Sequence, residues 1–303
     1  MNLLGSLRKE KPKFTGSMTA LITPFDNGEL DLNSFRNIVK HQIDNGTAGL
    51  IPVGTTGESP TLSHYEHEKI VEVCIEESSG KVSVIAGAGS NSTSEACALA
   101  SHAGKAGADA VLVVTPYYNK PTQSGLYSHF MAVADAAKVP VIVYDIPGRS
   151  IIPVHDSTLV KLCENHELIS GIKDATADIS RPPRLLRLIG DGFSQLSGED
   201  ATALPYLAAG GHGCISVSSN IAPKLLSQMH NAWQNKDLHK SFEIHLQMIN
   251  LHDAMFCESS PGPVKFAAEK LGLCKSEARL PIVEIEDTSK KKVINALKEC
   301  ELL

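Results

Sequence analysis

Lys173 stands near the end of an apolar run, ELISGIKDATAD over residues 167–178. An ammonium without a partner is costly to bury, and desolvation lowers a lysine pKa from about 10.4 by up to several units. The neutral amine that results can attack a ketone and form a Schiff base. In a strand, Ile169, Gly171 and Lys173 share one face and Asp174 turns to the other, so the adjacent carboxylate is no obvious partner for the lysine. Gly171, one step below, leaves space. The alternative is a lysine that snorkels to solvent at a rim. Imine and enamine chemistry moves protons several times near such a nitrogen, which a phenol can do if its oxygen is held by hydrogen bonds. Tyr144 is placed for that, and Thr55 is a hydroxyl that can accept from one phenol and donate to another, linking Tyr144 to Tyr118. In GTTGES, residues 54–59, glycines allow tight backbone geometry, and N–H groups beside Thr55 and Thr56 form a cradle for a carboxylate. The plainer readings are tyrosines that pack with a wet tip and an ordinary βα turn.

These residues share a position rather than a motif. Eight β-rich runs recur: SMTALITPF (17–25), AGLIPVG (48–54), VSVIAGAG (82–89), ADAVLVVTP (108–116), VPVIVYDIP (139–147), LISGIKD (168–174), FSQLSG (193–198) and GCISVSS (213–219). Near-continuous apolar stretches such as AVLVV suit a parallel sheet covered on both faces. Gly46, Gly107 and Gly210 each stand shortly before a strand, as left-handed caps ending helices. Ser63-x-x-Glu66 and Ser92-x-x-Glu95 match the capping box. Only helical patterns follow residue 220, including PVKFAAEKLG and KKKVINALKECELL. The expected fold is therefore α/β, a (β/α)8 TIM barrel with a C-terminal helical extension, rather than a doubly wound sheet. The expected boundaries are an N-terminal arm over 1–13, a catalytic barrel over 14–228 and the extension over 229–303. In such a barrel the strand ends carrying Thr55, Thr56, Tyr117, Tyr118, Tyr144, Arg149 and Lys173 surround one mouth.

Composition narrows the partners. The chain has 303 residues, 42% of them hydrophobic, a formal charge of −6 and a pI near 6.1, which gives no basic surface for nucleic acid. The basic stretch RKEKPK at 8–13 reads as a solvated arm. Seven widely spaced cysteines without a C-x-x-C pair argue against a disulfide framework or zinc knuckle and fit a reducing cytoplasm. No run approaches the roughly 18 apolar residues of a membrane span, and the first residues form too short an apolar segment for a secretory signal. No metal or other cofactor is expected. GAGSNS lacks the third glycine of a dinucleotide fingerprint, GTTGES lacks the Gly-Lys-Ser/Thr ending of a nucleotide loop, and His64 and His67, three apart, read as surface histidines.

Taken together, FTGSMTALITPF, GTTGESPTL, AGAGSNST, VTPYYNKPTQSGLYSHF, YDIPGRS, GIKDATAD, LSGEDA, GGHGCISVSSN and PGPVKFAAEKLGL resemble the pyruvate-dependent class I aldolases, and among them the dihydrodipicolinate synthase family. The resemblance leaves out only the first dozen residues. It implies that Lys173 forms an imine with pyruvate and that Tyr144, Thr55 and Tyr118 make a proton relay, with Tyr118 supplied by a neighbouring subunit. Thr55 and Thr56 would hold the pyruvate carboxylate and Arg149 that of L-aspartate 4-semialdehyde, while Gly198 and Ile215 would line the pocket. The implied product is 4-hydroxy-tetrahydrodipicolinate, in the first committed step of diaminopimelate and lysine biosynthesis, made by a cytoplasmic homotetramer, a dimer of dimers. The sialic acid lyases resemble the chain in lysine and tyrosine but usually have serine at the Thr55 position and no arginine at the Arg149 position. An N-acetylneuraminate lyase or 2-keto-3-deoxy sugar acid aldolase is the alternative activity, and a non-catalytic pyruvate-binding barrel a more distant one. Asp145 stands where the family usually has asparagine, close to Arg149 in sequence, and Ser150 where threonine is common. Ser59, His64, Asn91, Glu95 and Tyr117 match positions at which L-lysine acts as a feedback inhibitor, with Pro60 where alanine is frequent; the plainer reading of Glu95 is a helix cap.

Overall fold

The structure is a computed structural model that describes residues 11–303. Its eight main strands are β1 (Gly16–Ala20), β2 (Gly49–Ile51), β3 (Ser83–Gly87), β4 (Ala110–Val114), β5 (Val141–Asp145), β6 (Ile169–Asp174), β7 (Ser194–Ser197) and β8 (Gly213–Ser216). Each falls inside one of the eight expected runs or overlaps it by all but one residue. They form a closed barrel in the order β1-β8-β7-β6-β5-β4-β3-β2, with β1 parallel to β2. Closure excludes the doubly wound sheet. Strand β5 is buried at all five positions, the pattern of a sheet covered on both faces.

The chain divides into two compact units. Of the described residues, the first consists of 11–15 and Ile85–Ile215. Its helices are Thr93–Ala106, Gln123–Ala137, Pro147–Ser150, Asp156–Asn165, Arg181–Leu188 and Ala203–Ala208. Gly107, at φ 99°, ends Thr93–Ala106 as expected. The start of that helix differs from expectation: Ser92 makes no side-chain cap, its N–H donates to Ser90 Oγ at 3.0 Å, and Glu95 accepts from the Ser90 hydroxyl. The serine two residues upstream has captured the Ser92 N–H and the Glu95 carboxylate, which one of the two bonds of the capping box would join.

The second unit consists of Gly16–Val84 and Ser216–Leu303. It contains the two-stranded antiparallel ribbon Phe25–Asp26 with Glu29–Leu30 and the helices Leu32–Asp44, His64–Ser78, Pro223–Gln234, Leu238–Met255, Gly262–Lys270 and Asp287–Glu299. Here the box forms in full, since Ser63 and Glu66 satisfy each other's backbone N–H groups. His64 is exposed, whereas His67 is buried against expectation: on the helix it lies three, four and seven residues before Ile70, Val71 and Cys74, which form the inward face. The expected arm lies, through residue 10, outside the described residues; Lys11 and Lys13 are exposed. Among the described residues no helix is long and apolar enough to cross a membrane.

Candidate active site

The first unit brings Lys173, Tyr144 and Gly198 together. In β5 and β6 the ladder begins with Val141 opposite Ile169, slips by one residue, and continues with Ile142 opposite Gly171. Ser170 is the residue passed over, and the slip places Tyr144 beside Lys173 and Asp145 beside Asp174 at the C-terminal ends. Both site residues are 5% exposed, and the Lys173 Nζ lies 4.2 Å from the centroid of the Tyr144 ring. No carboxylate among the described residues forms an ion pair with this lysine, and its Nζ lies over the ring face.

Asp174 is engaged elsewhere, as alternation requires. Its Oδ1 accepts from the Thr176 hydroxyl at 2.6 Å and lies 3.6 Å from Arg181 Nη1. Gly171 does not leave the expected space: a Cβ there would meet the Ser194 carbonyl at 2.6 Å and Ile142 Cδ1 at 2.8 Å, so the glycine lets neighbouring strands approach closely. Gly198 is the glycine that faces the lysine, since a Cβ there would stand 3.1 Å from Lys173 Cε and 2.8 Å from Ala175 Cβ. Ile215 is fully buried in β8. Glu199, beside Gly198, has its carboxyl pushed up by burial and by Asp200, against the opposing pull of Lys173 and Arg149.

Arg149 is exposed on the short helix Pro147–Ser150 after β5 and makes no ion pair among the described residues. Asp145 therefore does not act on Arg149 by pairing with it. Its carboxylate pairs with Arg181 at 2.7 Å and accepts from the Val154 N–H at 3.2 Å. Arg181, 4% exposed, also reaches Asp156 at 3.0 Å and the Val154 carbonyl at 2.6 Å. The sequence reading missed this arginine because DISRPPR looks like a solvated charged stretch; two aspartates at strand ends, Asp145 and Asp174, were the available signal. Burial pushes the Asp145 carboxyl up, with Arg181 pulling against it.

Tyr118 stands apart from Tyr144 within the first unit: it is 87% exposed and held at φ 73°, a left-handed backbone unusual for a tyrosine. Tyr117 is half-buried, and Asn91 accepts through its carbonyl from the Asn119 side chain at 2.8 Å.

In the second unit, Thr55 and Thr56 follow β2 in a sharply folded loop. Val53 sits at φ 48°, an outlying conformation for a β-branched residue. The Gly57 N–H donates to the Gly54 carbonyl at 3.0 Å and the Glu58 N–H to the Thr55 carbonyl at 3.1 Å. A Cβ on Gly57 would press on the Leu21 carbonyl and on Val53 at 3.1 Å, so only glycine fits without movement. Thr55 is half-buried and Thr56 buried. Ser59 is half-buried beside them, and His64 is exposed.

Known proteins resemble the chain in sequence and fold. The family model described as the dihydrodipicolinate synthetase family matches residues 13–300. The chain is 54% identical over 293 residues to the 4-hydroxy-tetrahydrodipicolinate synthase of Bradyrhizobium diazoefficiens, covering 97% of this chain and 99% of the relative. Among solved structures, the chloride-inhibited dihydrodipicolinate synthase from Acinetobacter baumannii complexed with pyruvate superposes with a TM-score of 0.92 at 40% identity, covering 95% of this chain and 99% of that one. The enzyme from Cyanidioschyzon merolae with lysine bound gives 0.93 at 36% identity, covering 97% and 100%. A buried lysine on a tyrosine face, at the strand ends of a closed parallel barrel matched from end to end by these relatives, leads to one conclusion: the chain belongs to the dihydrodipicolinate synthetase family.

Proposed function

We propose that the chain condenses pyruvate with L-aspartate 4-semialdehyde to give 4-hydroxy-tetrahydrodipicolinate, acting as a Schiff-base-forming lyase of lysine and diaminopimelate biosynthesis in the cytoplasm. The observation that carries this reading is the buried Lys173 Nζ, 4.2 Å from the Tyr144 ring and without an ion pair among the described residues. The Lys173 amine adds to C2 of pyruvate and water leaves, forming the imine. Loss of a C3 proton gives the enamine, whose C3 attacks the aldehyde carbon of the second substrate. The amine of the condensed product then closes on C2 and releases Lys173. The Tyr144 hydroxyl, relayed through Thr55 and a neighbouring subunit's Tyr118, moves the protons.

Thr55 and Thr56 hold the pyruvate carboxylate with their hydroxyls and backbone N–H groups, and Arg149 takes the carboxylate of the semialdehyde. The freedom of Arg149 from ion pairs among the described residues favours that role. Gly198 and Ile215 shape the wall around the imine. The exposure and left-handed backbone of Tyr118 favour a role across a subunit boundary, hence a homotetramer built as a dimer of dimers. The relative with lysine bound favours L-lysine as a ligand of this chain as well; its proposed role is feedback inhibition, and its proposed site is Ser59, His64, Asn91, Glu95 and Tyr117.

Pyruvate followed by borohydride should leave one reduced adduct on Lys173 by mass spectrometry, and Lys173→Ala should lose both adduct and turnover. Turnover should require L-aspartate 4-semialdehyde, with neither N-acetylneuraminate nor 2-keto-3-deoxygluconate cleaved at a comparable rate. An adduct on another residue, or faster cleavage of either sugar acid, would overturn the assignment.

A further inference from the structure

Glu58 closes the loop that carries the two threonines, and its surroundings are unusual for a residue in a turn. It is 4% exposed, and its backbone is left-handed at φ 56° and ψ 35°. Glycine holds such a conformation freely; a glutamate holds it only under strain that the surroundings must offset. What offsets it lies on Gly262–Lys270 and the segment that follows. Glu58 Oε1 accepts from Lys265 Nζ, and Oε2 accepts from the Arg279 N–H at 2.9 Å. Lys265 is fully buried and also donates to the Glu277 carbonyl at 2.6 Å. The Phe25 ring lies under both cations, 4.3 Å from Lys265 Nζ and 4.4 Å from the Arg279 guanidinium carbon. The same arginine donates to the Thr61 carbonyl at 2.9 Å, to the Gly28 carbonyl at 2.7 Å and to Glu66 at 2.9 Å.

Glu58 is thus held from outside the loop, while its N–H donates to the Thr55 carbonyl at 3.1 Å and ties the threonines to it from inside; the Thr23 hydroxyl, from the segment after β1, separately anchors the Gly57 carbonyl at 2.7 Å. Release of the carboxylate removes the reason for the left-handed turn, and a relaxed turn re-aims the N–H groups beside Thr55 and Thr56. A buried ion pair rarely adds stability over an apolar pair of the same volume, but it fixes geometry by the directions of its hydrogen bonds.

We infer that the Glu58–Lys265 pair is a positioning device for pyruvate, which sets the Thr55–Thr56 cradle for the carboxylate and thereby governs pyruvate affinity more than the later chemistry. This rests on the function proposed above and adds two positioning residues to it. Neither touches the reacting atoms.

The experiment compares the full-length protein with the neutral, similarly sized double variant Glu58→Gln/Lys265→Met, by borohydride trapping against pyruvate concentration and by steady-state kinetics. The pair's removal should leave the melting temperature within a few degrees of wild type. Half-saturation by pyruvate should rise by about tenfold, while trapping still reaches one adduct per chain and kcat at saturating pyruvate falls by no more than about threefold. A folded double variant with wild-type half-saturation would show that the pair only fills the interior, and would overturn the inference. Glu58→Leu/Lys265→Met, which replaces the pair by an apolar one and leaves the left-handed turn no carboxylate to hold it, serves if the first double variant does not fold; it should shift half-saturation the same way, and wild-type half-saturation there is equally fatal. Failure of the wild-type protein to trap pyruvate at all would instead strike the proposed function, so the two failures stay distinct.

Discussion

Gly198 is kept a glycine by the lysine it faces. The Cβ of an alanine would stand 2.8 Å from Ala175 Cβ and 3.1 Å from Lys173 Cε, and Ala175 is no flexible side chain that can yield. The backbone at residue 198 has to shift off Ala175, and the lysine stem has to give with it, which tilts Nζ away from the face of Tyr144. Gly198→Ala should therefore fold, yet form the borohydride-trapped pyruvate adduct at least about tenfold more slowly, because an amine displaced by even a fraction of an ångström loses its line of attack. An unchanged trapping rate would mean that the stem has room the structure does not give it. Lys173 and Tyr144 were legible in the sequence because polar residues closing apolar strands are conspicuous, and a barrel gathers strand ends. The function of Gly198 came only from family resemblance, since no pattern of residue types announces which side chain a missing Cβ would strike. Asp145 was legible as a departure from the family but not as a partner. Proximity in sequence suggested Arg149, while the fold supplied Arg181 from 36 residues away.

At the scale of elements, the eight strands could be read because their apolar runs are long and punctuated by turn residues. The one-residue slip between β5 and β6 could not, since register belongs to a pair of strands rather than to either alone. Below the slip the two strand ends carry Asp145 and Asp174 side by side, both nearly without exposure, and Arg181 spans them. Two buried carboxylates adjacent on neighbouring strands repel unless a cation lies between them, so the arginine is the latch that lets the ends stay in register. Arg181→Leu should lower the free energy of unfolding by roughly 3–5 kcal/mol, because it leaves buried charge uncompensated. Asp145→Asn, which keeps an acceptor for the Val154 N–H and leaves Arg181 with Asp174 and Asp156, should cost less than half as much. Urea titrations at pH 7 measure both. A loss below about 1 kcal/mol for Arg181→Leu, or equal losses for the two variants, would mean that backbone pairing alone holds the ends. The capping boxes give a lesson of the same scale. Ser63 with Glu66 formed as its spacing foretold, while Ser92 with Glu95 lost out to Ser90, a competitor outside the four-residue pattern.

At the scale of the whole molecule, closure of the barrel was legible from a count of strands, but the long-range ties were not. Lys265 lies 207 residues from Glu58, in a helix whose sequence reads only as a helical pattern. Stability as a function of pH is another property of the whole molecule, and one group in each unit illustrates it. In the second unit the Arg279 guanidinium, against the opposing effect of burial, holds the Glu66 carboxyl down to about 2 from an ordinary 4.5. Its contribution is complete above about pH 4.5 and is lost only as the pH falls toward 2. In the first unit burial lowers His129 from 6.5 to about 4; its Nδ1 lies 3.0 Å from the Thr93 hydroxyl, and its Nε2 has no hydrogen-bond partner among the described residues. An imidazole whose folded pKa lies below its unfolded value is a neutral group that the unfolded chain protonates more readily. The stability it permits is therefore complete above about pH 6.5 and drains away as the pH falls through 4. Between pH 7 and 5 Glu66 stays ionised, so His129 separates cleanly from it and should account for about 2 kcal/mol of lost stability. His129→Gln, which keeps a polar group for Thr93 but cannot gain a proton, should reduce the drop between urea unfolding curves at pH 7 and pH 5 by that amount. Equal drops for variant and wild type would mean that protonation of the buried ring is accommodated, and that the acid sensitivity of the molecule resides elsewhere.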